Sequence, residues 1–148
     1  MLYHQKQNYV NIISGILITA VFALIVYRRQ MEGAIDITQD FSSWGKLLLI
    51  FIGVSIVARI IIQIIFHIFN AIITREEDVP KKDERDRIIE LKAKRNAYYS
   101  LSTILFAMVV LLAVGLPVFV VFIAFFLGGL ATEIVENTSQ IYYYKKNG

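Results

Sequence analysis

Four ionisable side chains stand in stretches otherwise made for lipid. Arg59 and His67 lie in the second long apolar run, Glu133 and Glu136 in the last. A charge inside a membrane is costly and ordinarily faces a partner or a water-filled cavity. Arg59 belongs to a stripe: Ser55, Arg59, Gln63, His67, Asn70 and Thr74 follow one another by three or four residues and share one helical face. Measured from Lys46, Arg59 lies roughly 20 Å down its helix; measured from Pro117, Glu133 lies roughly 24 Å down the last one. Both helices descend in the same direction, so the depths match. The expectation is an Arg59–Glu133 pair, with Gln63, His67, Glu136 and Asn137 in a polar ladder between the second and fourth helices. Such a cluster serves two chemistries. It is a structural brace, in which Arg59 pairs or snorkels, or it is a substrate or proton site in which His67 can change charge.

A second concentration of charge lies in residues 81–99, which hold seven of the 15 Lys and Arg residues. Asp83 precedes Arg87 by four positions and Glu90 precedes Lys94 by four, the favoured order for helix ion pairs. Asp83, Glu84, Arg85, Asp86, Arg87, Glu90, Lys92 and Arg95 together offer a surface for a cytoplasmic protein partner. The plainer reading of such a run is a solvated helix face.

Other chemistries are excluded by residue types. The chain has no cysteine, which rules out disulfides, thiolate metal sites and thiol catalysis. Two histidines are too few for a histidine-rich metal centre. Gly-rich phosphate loops, H-E-x-x-H and Gly-x-Ser-x-Gly do not occur. The acids at 83, 84, 86 and 90 alternate with cations, which neutralise them. No cofactor and no enzymatic activity are expected.

The elements that position these residues are membrane helices. Hydrophobic residues make up 57% of the 148-residue chain and charged ones 18%, against about 25% charged in a soluble domain. The reading is a single all-α domain, an integral membrane four-helix bundle. Its spans cover about residues 11–27, 44–74, 98–114 and 118–141, with a cytoplasmic helical extension over 80–97. The first run lacks the flanks of a cleaved leader and is expected to be retained. Ser42 and Ser43 offer caps for the second helix, and Trp44 an interfacial anchor. At roughly 46 Å the second span overruns a hydrocarbon core of roughly 30 Å, so helices two and three are expected to extend into the cytoplasm as a charged hairpin. Residues 75–79, REEDV, form the turn, and Pro80 opens helix three. Residues 115–117 make a short connection that sets spans three and four antiparallel.

Placing both termini in the cytoplasm puts eleven cations on that side and three, Arg28, Arg29 and Lys46, on the other. That bias favours a multi-pass protein of the cell membrane with both ends inside. The basic character, net charge +3, then reports topology, and no direct nucleic-acid binding is expected. Gly15, Thr19 and Ala23, and again Ala124, Gly128 and Thr132, are small residues four apart, suited to close packing or to homodimerisation.

Residues 83–93, DERDRIIELKA, with Arg95, Tyr98, Tyr99 and the ending Tyr142 to Lys146, resemble a family of small prokaryotic predicted membrane proteins. That family carries D-E-R-D-x-x-I-x-x-K-A between spans two and three. The resemblance implies the four-span layout and a prokaryotic membrane, with no assigned activity. The expected function is a non-enzymatic membrane protein acting by interaction or regulation through its cytoplasmic charged helix. The alternative is a small oligomeric transporter or channel component using Arg59, His67, Glu133 and Glu136.

Overall fold

The computed structural model describes residues 3–76 and 78–146. Four helices follow one another: α1 Tyr3–Met31, α2 Phe41–Thr74, α3 Glu84–Ala113 and α4 Val118–Lys146. All four are long and apolar enough to cross a membrane. In lipid only a helix or a closed barrel satisfies every backbone N–H and C=O internally, so apolar runs of this length become helices. Four candidate spans in one chain are the pattern of a multi-pass membrane protein. Its outward surface is apolar: Leu49, Ile50, Ile61, Ile72, Phe106 and Val109 are all exposed.

Each helix runs further than its apolar core. α1 begins at Tyr3, eight residues before the expected span, because nothing breaks it before Gly33, whose φ is +74°. α2 starts at Phe41 and is capped by neither serine. Asp40 is the cap: its carboxylate accepts from Ser43 N at 3.1 Å and Ser43 Oγ at 2.6 Å. Two bonds from one residue outcompete a serine cap. Arg75 ends α2 in the left-handed conformation, φ 58°. Glu77 of the expected turn lies outside the described residues.

α3 begins at Glu84, so Pro80 does not open it. Asp83 accepts from Asp86 N at 2.8 Å while Asp86 Oδ2 accepts from Asp83 N at 3.0 Å, a reciprocal capping box that fixes the start. Gly115 then takes φ +80° and the chain reverses into α4.

α4 is the hub. α3 packs along it most closely, α1 next, and α2 touches it lightly while packing on α1. Among the described residues α2 and α3 do not approach each other, so the hairpin expected of them is not a packed one. What draws α3 to α4 is a seam of small residues. Ala93, Ala97 and Ile89 of α3 are buried, and Gly128 of α4 lies so close to α3 that an added Cβ would stand 2.6 Å from Ile104 Cγ2. A connection through residues 75–83 dictates no such seam between α2 and α3.

The bundle is layered. Near the α3–α4 turn, Trp44 stacks on Phe122 with centroids 5.7 Å apart and donates its Nε1–H to Ile37 O at 2.6 Å. Below it Phe22, Phe51 and Phe126 meet at 4.8–5.8 Å. Polar contacts begin two turns further on, with Arg59 and Glu133, and they persist toward the ends of α1 and α4.

Candidate functional site

The first polar layer is an ion pair. Arg59 of α2 and Glu133 of α4 bind through both guanidinium nitrogens and both carboxylate oxygens, Nη2 to Oε2 at 2.6 Å. Bidentate pairing is the strongest geometry open to these groups. Gly15 of α1 makes room for it: a Cβ there would meet Glu133 Oε2 at 3.0 Å and Arg59 Nη2 at 3.4 Å. The pair therefore sits where three helices converge. Between α2 and α4 a groove of about 190 Å³ borders the pair, lined by Thr19, Ser55, Gly129 and neighbouring apolar residues. Ser55 is buried and its Oγ has no protein partner.

The next layer is a chain of amides. Asn137 Nδ2 donates to Glu133 O at 2.9 Å, and Asn137 Oδ1 accepts from Asn11 Nδ2 at 3.1 Å. Asn11 Oδ1 accepts from Gln63 Nε2 at 2.6 Å, and Gln63 Oε1 accepts from Gln7 Nε2 at 3.0 Å. Asn137, Asn11 and Gln63 each use a donor and an acceptor, Gln7 ends the chain as a donor, and the chain crosses α4, α1 and α2. The expected ladder exists for Arg59, Gln63, Glu133 and Asn137, but it does not run directly between α2 and α4. α1 carries it through Asn11 and Gln7, which sequence reasoning missed. Their signal was available: Gln7, Asn11 and Ser14 share one face of α1, and Gly15 follows.

Two expected members stay apart. His67 lies a turn beyond Gln63 with its Nδ1 buried and unpartnered. Glu136 makes no side-chain hydrogen bond or ion pair among the described residues; its charge acts on Lys94 of α3 instead. The small-residue stripes are engaged within the chain, Gly15 against the ion pair and Gly128 against Ile104.

The charged start of α3 divides into two sides. Toward α4, Tyr144 donates its hydroxyl to Asp86 Oδ1 at 2.8 Å, and Asn96 Nδ2 donates to Ser139 Oγ at 3.1 Å and Tyr143 OH at 3.3 Å. Lys92 Nζ lies 5.6 Å from the centre of the Tyr143 ring, and Arg95 stands near the same hydroxyl. Glu90 binds Lys82 and Lys94, both at 2.7 Å. Those two hydrogen bonds, Lys82 first, hold its carboxyl down at about 2. Here α1 joins as well: His4, Gln7 and Asn8 share a small polar cleft with Asp86, Glu90, Gln140 and Tyr144.

Of the eight residues expected to form the docking surface, Asp83, Asp86 and Glu90 are therefore occupied by capping and ion pairing. Among the described residues Glu84, Arg85 and Arg87 make no side-chain hydrogen bond or ion pair, and all three are exposed. Between them Ile88 and Leu91 are 52% and 67% exposed. No three His, Asp or Glu side chains converge among the described residues as a metal ion would require. Comparison with family models, with curated proteins and with solved structures finds no match to the chain.

Proposed function

We propose that this chain is a non-enzymatic protein of the cell membrane, with both termini in the cytoplasm, that acts by binding a protein partner on the cytoplasmic half of α3. The observation that carries the reading is the contrast between the two charge clusters. Inside the bundle, Arg59 and Glu133 satisfy each other and the amides beside them form a continuous chain from Asn137 to Gln7; such an arrangement braces α1, α2 and α4. On α3, the side toward α4 is engaged, whereas Glu84, Arg85, Arg87, Ile88 and Leu91 face outward from a helix that packs on α4 and, among the described residues, meets α1 only at the polar cleft by His4, Gln7 and Asn8. Ile88 and Leu91, adjacent on one helix face and bordered by unengaged charges, suit the docking of an amphipathic partner. The distribution of cations supports the orientation, and the likeness of residues 83–93 to the prokaryotic membrane family agrees with it.

The groove beside Arg59 and the unpartnered Ser55 Oγ favour one second reading, a transporter component in which the ion pair opens to take a substrate or a proton. Paired substitutions separate the two. If Arg87→Ala with Leu91→Ala abolishes the cellular phenotype and Arg59→Leu with Glu133→Leu does not, docking is upheld. The reverse pattern supports transport and removes the docking reading.

A further inference from the structure

The open side of α3 has a definite chemistry, and on the docking reading above it defines the partner. Glu84, Ile88, Leu91, Arg95 and Tyr98 succeed one another by four, three, four and three residues. That is the spacing of a coiled-coil seam, with Ile88, Leu91 and Tyr98 as its apolar members and Glu84 and Arg95 as charged ones. Ile89, Ala93 and Ala97 take the opposite side, against α4. Lys82 and Lys94 share the one carboxylate of Glu90, which leaves that trio a single positive charge. The cations along the seam and its flanks are Arg85 and Arg87, which are unengaged, and Lys92 and Arg95, which also reach Tyr143 of α4; the acids on this side are Glu84 and Asp83. The face is a narrow apolar line inside a basic border.

We propose that this face binds an acidic amphipathic helix of another protein, with leucine-like side chains packing on Ile88 and Leu91 and carboxylates on Arg85, Arg87 and Arg95. Height argues against lipid as the occupant. Tyr98 and Tyr99, 66% and 61% exposed, are interfacial anchors. Leu91 and Ile88 stand roughly 10 and 15 Å further along the helix. A headgroup layer is only roughly 5–8 Å deep, so these apolar side chains lie beyond it. Charge argues against a second copy. Two copies in one membrane would set α3 beside α3 in parallel, bringing Arg95 against Arg95 and Arg87 against Lys92. An acidic helix relieves both problems, because its carboxylates meet the border and its apolar stripe covers the line.

The test uses the full chain in nanodiscs of zwitterionic lipid and three labelled synthetic helices of about five turns. One is acidic and amphipathic, one is the same sequence with lysine for every acid, and one is acidic with its apolar residues scrambled. Anisotropy should report saturable binding of the first alone. Arg87→Glu with Arg95→Glu should weaken that binding by about tenfold or more and reduce its salt dependence. Leu91→Gln should weaken it without changing the salt dependence. Equal binding of all three helices, binding of none, or indifference to both variants overturns the proposal. Circular dichroism and thermal melting of the variants check that α3 remains folded.

Because the chain lacks cysteine, Leu91→Cys takes a single environment-sensitive dye for a second measurement. A shift to an apolar environment on adding the acidic helix supports the proposal. The same shift in nanodiscs carrying anionic lipid without peptide assigns the face to lipid and overturns it. In native membranes the dye also separates the two levels of the reading. Protection there, with no response to the acidic helix, sinks only the acidic partner; continued exposure to water there sinks docking at α3 itself.

Discussion

Asn11 donates through Nδ2 to Oδ1 of Asn137 at 3.1 Å, across 126 residues of chain. The same Asn11 accepts from Gln63 at 2.6 Å, so one amide joins α4 to α2 by way of α1. Asn11→Ala leaves a donor on Gln63 and an acceptor on Asn137 unpaired. The expected loss is about 1–2 kcal/mol, the range of interhelical hydrogen bonds in membranes. Asn11→Asp keeps the acceptor for Gln63 but removes the donor to Asn137, so it should separate the two bonds. Reversible unfolding in mixed micelles gives the values. An unchanged midpoint for Asn11→Ala would show that the amide chain braces nothing.

The Arg59–Glu133 pair bridges the most lightly packed of the touching helix pairs. Glu133→Gln removes the counter-charge of the guanidinium; because the two side chains are 34% and 21% exposed at a groove, the loss should stay below about 3–5 kcal/mol, the cost of breaking a fully buried pair. Removing both charges, with Arg59→Leu and Glu133→Leu, should cost less than either single change, since no charge is left unpaired. A double-mutant cycle on unfolding free energies checks this. Additive costs would mean that each residue finds its stabilisation elsewhere.

Gly128 supports the α3–α4 seam through its lack of a side chain. In Gly128→Ala the new Cβ falls 2.6 Å from Ile104 Cγ2. That methyl sits on a β-branched carbon with one strongly preferred rotamer in a helix, so it cannot swing aside. Overpacking of this kind costs about 1–3 kcal/mol. Ile104→Leu moves the branch point outward and should recover most of the loss in the double variant. Crosslinking yield between cysteines placed along α3 and α4 reads the separation directly, and failure of the rescue would argue for a backbone clash instead.

The four helices were legible because a lipid-facing chain has few choices: an apolar run long enough to span must be helical. The Arg59–Glu133 pair was legible for a related reason. Two opposite charges at one depth have few other partners, and helical rise is enough to compare depths. Periodicity on one helix does not say which neighbour it faces. Gln63 and His67 share a stripe, but only Gln63 reaches the level of Asn11, and His67 passes beyond the amide chain. That α3 neighbours α4 was legible in the short 115–117 connection; that α3 leaves α2 untouched was not, because the Gly128, Ala93 and Ala97 seam that fixes it looks alike on paper to the stripe on α1. The caps at Asp40 and Asp83 were obscured by equally plausible neighbours, two serines in one case and a proline in the other.

Glu90 makes the start of α3 sensitive to acid. Its carboxyl falls from an ordinary 4.5 to about 2, by hydrogen bonds from Lys82 and then Lys94. Asp86 is lowered too: burial pushes it up, but the Asp83 amide and the Tyr144 hydroxyl outweigh that. A carboxylate depressed on folding contributes stability in full above its unfolded value, and the contribution is lost as pH falls through the folded one. The window therefore runs from about pH 4.5 down to about pH 2, and stability is flat with respect to Glu90 above it. Lys82 and Lys94 are 50% and 57% exposed, so solvent screening holds the Glu90 contribution to about 1 kcal/mol or less. Amide protection factors over the first two turns of α3, corrected for the intrinsic effect of pH, should fall across that window while those of the Trp44–Phe122 layer stay constant. Glu90→Gln should lower protection at neutral pH and leave only the smaller acid response due to Asp86. Raised salt should mimic part of the loss in the native chain and have less effect in the variant. A native chain whose α3 protection does not change between pH 4.5 and 2 would show that Glu90 is not held by its two lysines.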